Sequence, residues 1–346
     1  MKLTIASLII VVAGVMAFGQ APTLQIVTAD PNLPSELFYG NVKVKPLRVR
    51  PGTNPPQFIT IDVVLLGKEI RIIDSDVLPG TNPPQFITID DSDFFTQQNY
   101  IDFLTRMPDT SGFNFWNGTF APCNGNAQCI QVQRVNVSQA FFLSIEFKET
   151  GLFVVRAQKA ALGNSFNNPL YTLFLTDQKS VANGVIVGQG NWQGQLAANK
   201  VSYLQNVVSR SGFTSQPNFA PGVAAGTYVD ALFANVGATP TLIERNAAIS
   251  AYGSGDTAGR AASMQSVIES GSGYNAMYNQ AFVGMQYFGY LRRDPDQSGF
   301  NFWLTKVNSV SLPNEDMRDD NQALSRVQRA EMVRAFVESI EYRGRF

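Results

Sequence analysis

The sequence contains no histidine, only two cysteines, and few charged residues, which make up 15% of its 346 positions. Histidine is the commonest general base near neutral pH and the commonest transition-metal ligand in proteins. Its absence excludes catalytic systems that pair a serine or cysteine nucleophile with histidine. A net charge of −1 disfavours an electrostatic nucleic-acid binder. We therefore expect no catalytic residue, no cofactor, no metal site and no nucleic-acid partner.

Long apolar runs are also missing, except at the N-terminus. Lys2 precedes an apolar run over residues 3–17, and the small residues Ala17 and Gly19 suit a signal peptidase. The run is shorter than the roughly 20 residues that a membrane-spanning helix needs. The sequence therefore predicts a secretory signal peptide over residues 1–19, no transmembrane span, and a secreted or cell-surface (extracellular) protein.

The two cysteines, Cys123 and Cys129, lie six positions apart. In an exported chain the compartment is oxidising, so a structural disulfide that closes a small loop is expected. Two thiolates without further cysteine or histidine cannot complete a zinc site. The pair is therefore predicted to be structural.

Residues 20–90 show a period of two. Val42 and Val44 would face one side of a strand, and Lys43 and Lys45 the other, so this part is predicted to be a β-rich segment. A twelve-residue phrase at positions 51–62 recurs unchanged at positions 79–90. Identity of that kind indicates a recent tandem duplication, which we interpret as an insertion that carries little function.

From residue 91 the pattern becomes helical, and it is built from an internal repeat. The phrase Ser-Gly-Phe-Asn-Phe-Trp occurs at positions 111–116 and again at 298–303. A second phrase, Ser-Ile-Glu, follows each copy at positions 144–146 and 339–341, and the later copy carries eight extra residues between its phrases. Repeats define the architecture. The expected fold is mainly α: helical repeat modules preceded by a small β-rich N-terminal segment.

This pattern divides the helical part into four regions. We expect a first helical module over residues 91–163, a connecting region with one helix over 164–226, a degenerate helical module over 227–277, and a last helical module over 278–346. Within the first module, Asp109 is predicted to cap a helix, and Asn136 or Ser138 to begin the next one. Thr241 and Glu244 have the spacing of a capping box.

The repeated residues are mostly of packing types. Trp116, Phe113 and their counterparts Trp303 and Phe300 recur at helical spacing, which favours a repeat core over the alternative of sugar-stacking platforms. Glycine destabilises a helix interior by about 1 kcal/mol. Its repetition inside the second helix, at Gly112 and Gly299, predicts close packing by a neighbouring helix.

The repeated string has the form Tyr-x-x-x-Leu-x-Arg-x-Pro-Asp-x-x-Gly-x-x-x-Trp, followed by Ser-Ile-Glu and an aromatic residue. It resembles helical modules of exported and surface bacterial proteins that are catalogued as domain-of-unknown-function family 4214. That family is distantly similar to the helical linker domains of phycobilisomes. The resemblance covers residues 93–163 and 278–346, with 228–274 as a degenerate copy. It implies a helical fold and an exported bacterial protein, and it implies no particular reaction.

Two other interpretations of the acidic residues stay open. Asp294, Asp296, Ser298 and Gly299 resemble the start of a calcium loop, but Thr305 stands where the closing glutamate should be, which favours helix capping. Glu146 and Glu341 recur at equivalent positions. They are the candidates for a catalytic carboxylate pair, although a structural salt bridge or cap is the favoured role.

These observations predict an exported, non-catalytic helical repeat protein that mediates protein or glycan contacts at the cell surface or in an extracellular matrix. The alternative is a carboxylate-dependent hydrolase that acts on a surface polysaccharide. A pocket with two convergent carboxylates would favour the hydrolase. An exposed apolar or aromatic patch would favour the contact protein.

Overall fold

The computed structural model describes residues 89–346 in full and, before them, only the backbone of seven short strands. The strands are β1 (Leu24–Val27), β2 (Glu36–Tyr39), β3 (Val42–Pro46), β4 (Val49–Arg50), β5 (Gln57–Phe58), β6 (Asp62–Leu66) and β7 (Glu69–Ile73). They pair antiparallel in the orders β1-β2-β3, β4-β5 and β6-β7. The predicted signal peptide and most of the second duplicated phrase lie outside the described residues.

The structure is mostly helical, at 72%, as the sequence predicts. The first copy of the repeat contains α1 (Ser92–Asn99), a π-helical turn (Tyr100–Leu104), α2 (Thr110–Gly118), α3 (Ala127–Phe142), α4 (Ile145–Glu149) and α5 (Gly151–Leu162). Short 3-10 turns lie at Ala121–Cys123 and Pro217–Phe219.

The middle of the chain contains α6 (Tyr171–Ala182), α7 (Trp192–Ser209), α8 (Ser211–Thr214), α9 (Ala225–Val236), α10 (Leu242–Tyr252) and α11 (Thr257–Glu269). The last copy contains α12 (Gly271–Gln286), a second π-helical turn (Tyr287–Leu291), α13 (Gln297–Ser309), α14 (Asp320–Ala330), α15 (Met332–Val337) and α16 (Ile340–Arg343). No described helix is long and apolar enough to cross a membrane.

Equivalent residues begin and end the helices of the two copies. Each π-helical turn stops at a residue in the left-handed conformation, Thr105 (φ 56°) or Arg292 (φ 52°). Asp109 then caps α2 by accepting a hydrogen bond from the Gly112 N–H at 2.9 Å, as predicted, and Asp296 caps α13 in the same way. These caps satisfy N–H groups that have no partner inside the helix.

Two sequence-based expectations about helices are wrong. Neither Asn136 nor Ser138 begins a helix; α3 starts at Ala127, where Asn126 accepts a hydrogen bond from the Cys129 N–H. Ser138 lies buried inside α3 and donates to Asn99. The connecting region is expected to hold one helix, but α6 and the short α8 form there beside α7. Their apolar residues, including Phe174 of α6, pack into the core.

The remaining local predictions concern a cap and the cysteines. The capping box of α10 forms as predicted, with Thr241 accepting from the Glu244 N–H and the Glu244 carboxylate accepting from the Thr241 N–H. Cys123 and Cys129 are bonded to each other in a disulfide. The disulfide closes the loop between α2 and α3, next to Phe120 of the core.

The two copies pack against each other through their π-helical turns. Phe103 and Tyr290 occupy equivalent positions of the repeat, and their rings meet edge to face with centroids 5.2 Å apart. Asp102, whose side chain is fully buried, accepts from Arg292 at 2.9 Å and from Arg345 at 3.0 Å, both in the last copy. Because two cations satisfy this buried carboxylate, the interface can enclose it without an unpaired charge.

Candidate functional site: a repeated tyrosine, arginine and glutamate cluster

The repeated phrase builds one cluster in each copy. In the first copy, Glu146 of α4 accepts two hydrogen bonds from the Arg106 guanidinium, at 2.6 and 2.9 Å. The guanidinium carbon of Arg106 lies 5.0 Å from the centre of the Tyr100 ring. In the last copy, Arg293 makes the same paired bonds to Glu341, at 2.6 and 3.0 Å. The spacing between the two phrases of each copy therefore serves to bring an arginine to a glutamate.

The position of a tyrosine in each copy explains why the repeated phrase contains a glycine. A side chain added at Gly112 would clash with the Tyr100 hydroxyl, and one added at Gly299 would clash with the Tyr287 hydroxyl. The expected helix backbone is not the close neighbour at these glycines: the space is filled by the side chain of a tyrosine from the π-helical turn of the same copy. The tyrosine hydroxyls fill the space because glycine has no Cβ.

The predicted core residues are placed unequally. Phe300 is buried in the last copy, where the Phe166 ring lies 5.9 Å away, whereas Phe113 of the first copy is half-buried. Trp116 and Trp303 are both half-buried and pack on the edge of the core. Trp116 lies 5.2 Å from the Phe141 ring and lines the first cluster. Trp116 therefore lines a groove as well as packing on the core.

The phenylalanine before each tryptophan faces solvent. Phe115 is 65% exposed and Phe302 is 62% exposed, and each ring packs edge to face on the adjacent tryptophan. An exposed ring at the same place in both copies is not explained by core packing. It extends the groove wall outward as an aromatic rim, the kind of surface that interfaces use.

In the first copy a segment of the same chain covers this groove. Val187, Gly188 and Gln189 lie in the loop between α6 and α7 and line a cavity of about 390 Å³ together with Arg106, Trp116 and Glu146. The Val187 N–H donates to Glu146 at 3.4 Å, a long and weak hydrogen bond. The Glu146 side chain is only 6% exposed to solvent.

In the last copy the equivalent surface, formed by Arg293, Trp303, Ile340 and Glu341 and called here the open groove, is more exposed. Ile340 is 90% exposed against 49% for its counterpart Ile145, and the Glu341 side chain is 50% exposed against 6% for Glu146. Among the residues that the structure describes, Arg293 is the only hydrogen-bond partner of the Glu341 carboxylate. The arginine and glutamate of the two copies thus differ in exposure: the chain itself shields them in the first copy and leaves them accessible in the last.

The charge state of the acids bears on catalysis. Burial alone raises the pKa of Asp109, but hydrogen bonds from Ser111 and Gly112, with Arg106 nearby, outweigh it and leave the pKa lowered. The hydrogen bond from Arg293 lowers the pKa of Glu341. A carboxylate-pair hydrolase needs one acid whose pKa is raised. Asp109 and Glu146 do converge in the first groove, but both pair with the same arginine.

The acids of the candidate calcium loop accept hydrogen bonds at the starts of helices α6 and α13 instead. Asp294 accepts from the Tyr171 N–H at 2.6 Å, and Asp296 accepts from Ser298 and Gly299 at 2.7 and 2.8 Å. Over residues 89–346, no group of three acidic or cysteine side chains is placed to hold a metal ion. The arrangement is that of a helix cap, the interpretation that the sequence favours.

Sequence reasoning missed the cover of the first groove. Val187 and its neighbours lie outside both repeated phrases, and their apolar and glycine residues are typical of an ordinary connection. The pairing of this loop with Glu146, 41 positions earlier in the chain, follows no spacing that the repeat defines. The sequence pattern therefore offers no signal that could have identified it.

No protein-family model, no curated protein and no solved structure matches this chain.

Proposed function

We propose that this chain is an exported, non-catalytic helical repeat protein that contacts a partner at the cell surface or in an extracellular matrix, and that the open groove of the last copy is its contact surface. The observation that carries the proposal is the difference between the two grooves. The arginine and glutamate of the phrase are shielded in one copy and accessible in the other. The resemblance of the phrase to family 4214, itself a proposal, agrees with an exported contact protein.

The covered groove indicates what kind of partner fits the open one. Its occupant is a piece of polypeptide whose valine lines the same cavity as Trp116 and whose backbone N–H points toward the glutamate. In the last copy, Glu341 accepts two bonds from Arg293 and its oxygens retain further acceptor capacity. A polypeptide loop with a small apolar residue beside glycine is therefore the occupant that we favour over a glycan.

The side chains around the open groove are those that interfaces use. Aromatic residues and arginine are enriched at the centres of protein interfaces, where they supply most of the binding free energy. Phe302, Trp303 and Arg293 provide this set, and Ile340 adds exposed apolar surface. Burying Ile340 alone would contribute roughly 1.5–3 kcal/mol.

The hydrolase alternative finds less support. Its two recurrent glutamates each bind an arginine in their own copy, and the pKa of Glu341 is lowered. A glycan partner of a non-catalytic module stays compatible with the aromatic rim, because sugars stack on exposed rings.

A photo-crosslinking experiment tests the proposal. The photoreactive amino acid p-benzoylphenylalanine is placed at position 340 and, as the matched control, at position 145 of the covered copy. The mature protein is then exposed to the envelope of the cells that produce it. We expect a discrete polypeptide adduct from position 340 and none from position 145, and we expect Phe302→Arg to remove the adduct.

Three outcomes would count against this function. Equal labelling from positions 340 and 145 would mean that the open groove has no special role. A glycan array that binds the wild type but not Trp303→Ala, with no polypeptide adduct, would replace the polypeptide partner with a glycan. Turnover in a polysaccharide screen that Glu146→Gln or Glu341→Gln abolishes would establish the hydrolase instead.

A further inference from the structure

A second cavity shares no lining residue with the first groove and lies where several helices of the chain meet. It has a volume of about 330 Å³ and is lined by Lys148 and Glu149 of α4, Arg156 of α5, Glu269 of α11, Tyr274 of α12, and Arg318 of the loop before α14. Arg318 belongs to the polar stretch in which the eight extra residues of the last copy fall. The sequence pattern assigns this stretch no role.

Arg156 sets this cavity apart. It is only 3% exposed, yet its Nε and Nη1 atoms have no hydrogen-bond partner among the described residues. No carboxylate of the described part of the chain lies within ion-pair distance of it. The interaction that it does make is with the face of Tyr274, whose ring centre lies 4.2 Å from the guanidinium carbon. Burying a guanidinium without hydrogen bonds costs folding free energy, and a ligand that accepts these hydrogen bonds would offset that cost.

The other charges at the cavity are already paired. Lys148 binds Asp320, Arg318 binds Asp316 at 2.6 Å, and Lys200 binds Glu149 and lies 3.5 Å from Glu269. The two glutamates of the lining are therefore partly neutralised by Lys200. Within the described part of the chain, the lining cation without a counter-charge is Arg156.

We propose that this cavity binds an oxyanion group, a carboxylate, sulfate or phosphate carried by a small ligand, and that Arg156 is its anchor. A planar guanidinium presents paired N–H donors whose geometry fits the two oxygens of such a group. Lys148 and Arg318 at the lining, each already paired with an aspartate, supply further N–H donors beside it. The volume suits a ligand the size of a single acidic sugar. The site is separate from the open groove, so its test is independent of the test of the proposed contact function.

Thermal unfolding of the full exported protein tests the site. Sodium sulfate, sodium phosphate and sodium glucuronate are titrated at low millimolar concentration against sodium chloride of equal ionic strength, with glucose as the neutral control. A bound ligand raises the midpoint progressively with its concentration relative to Kd. We expect increases of a few degrees with at least one oxyanion and none with glucose. Low concentrations avoid the general stabilisation that sulfate gives any protein.

The variant Arg156→Met separates binding from structure. Methionine fills much of the same apolar space without a charge, so this variant is expected to unfold at a higher temperature than the wild type in chloride and to lose the oxyanion response. Arg245→Met, which removes an exposed arginine paired with Asp230, is the matched control and should keep the response. Lys148→Met should weaken the response several-fold while the fold is retained.

Three results would overturn the proposal. The first is a wild type whose midpoint does not respond to any of the three oxyanions. The second is an Arg156→Met variant that unfolds at a lower temperature and responds to oxyanions like the wild type, which would make Arg156 structural. The third is a response that Arg245→Met removes as fully as Arg156→Met does. If Arg156→Met does not fold, calorimetric titration with glucuronate compares the wild type with Lys148→Met, and equal affinity would reject the site.

Discussion

Replacing Glu146 with glutamine should destabilise the protein much more than the same change at Glu341. The two glutamates make the same paired hydrogen bonds to arginine, but their surroundings differ. Glu146 and Arg106 keep 6% and 17% side-chain exposure, whereas Glu341 and Arg293 keep 50% and 40%. Removing one partner of a buried pair leaves an uncompensated charge away from water. Removing one partner of an exposed pair leaves a charge that water solvates.

The expected magnitudes follow from that difference. Breaking a buried pair costs about 3–5 kcal/mol, and we take about 3 kcal/mol for Glu146→Gln because Arg106 keeps some access to solvent and still lies 3.5 Å from Asp109. An exposed pair contributes roughly 0–1 kcal/mol, which sets the expectation for Glu341→Gln. For a domain of this size 1 kcal/mol shifts the unfolding midpoint by roughly 2–4 °C, so Glu146→Gln should lower it by roughly 6 °C or more. Glu341→Gln should lower it by about 4 °C at most.

Urea and thermal unfolding, followed by circular dichroism, would measure both variants beside the wild type. The double variant Arg106→Met with Glu146→Leu is a useful addition, because removing both charges should restore part of the loss. Equal destabilisation by the two single variants would refute the reasoning. It would mean that the cover provided by Val187 and its neighbours does not shield the first pair from water.

Three further changes have defined outcomes. Gly112→Ala should destabilise by about 1–3 kcal/mol because of the clash with the Tyr100 hydroxyl, and adding Tyr100→Phe should recover part of the loss in urea unfolding. Cys123→Ser opens a small disulfide loop and should destabilise by about 2 kcal/mol, while mass spectrometry of the unreduced wild type should find no free thiol. Burial lowers the pKa of Lys159 from 10.5 to about 7, so the unfolded chain binds more protons between those values and stability should rise with pH across that window. Lys159→Met should raise the thermal midpoint at pH 7 and reduce the increase of stability with pH. A variant whose stability depends on pH as the wild type's does would show that the amine stays charged in the folded protein.

The sequence predicts a good part of the fold and of the repeat. The caps at Asp109 and at Thr241 are local events, because a side chain only has to reach an N–H three residues ahead. The pairing of Arg106 with Glu146 spans 40 positions. It depends on how the chain folds to place α4 beside the end of the π-helical turn, and no local sequence pattern encodes this. Sequence alone assigns Glu146 the general role of a salt bridge or cap, but not its partner.

The remaining features depend on surroundings rather than on residue type. Glu146 and Glu341 are the same residue in the same phrase, yet one side chain is 6% exposed and the other 50%. The unsatisfied donors of Arg156 are a property of the packed structure, since its neighbours in the chain are apolar and give no sign of them. Both the open groove and the oxyanion cavity therefore become visible only in three dimensions.

The meeting of Phe103 with Tyr290 has a consequence for the history of the chain. Contact between equivalent positions is the mark of an isologous interface, in which two identical subunits are related by a two-fold axis. Here the two equivalent positions belong to one chain, and they meet without being the same residue. Once joined, the two halves no longer have to carry the same substitutions. Asp102 can then face Arg292 and Arg345 while its counterpart is Gly289, an asymmetry that two identical subunits could not encode.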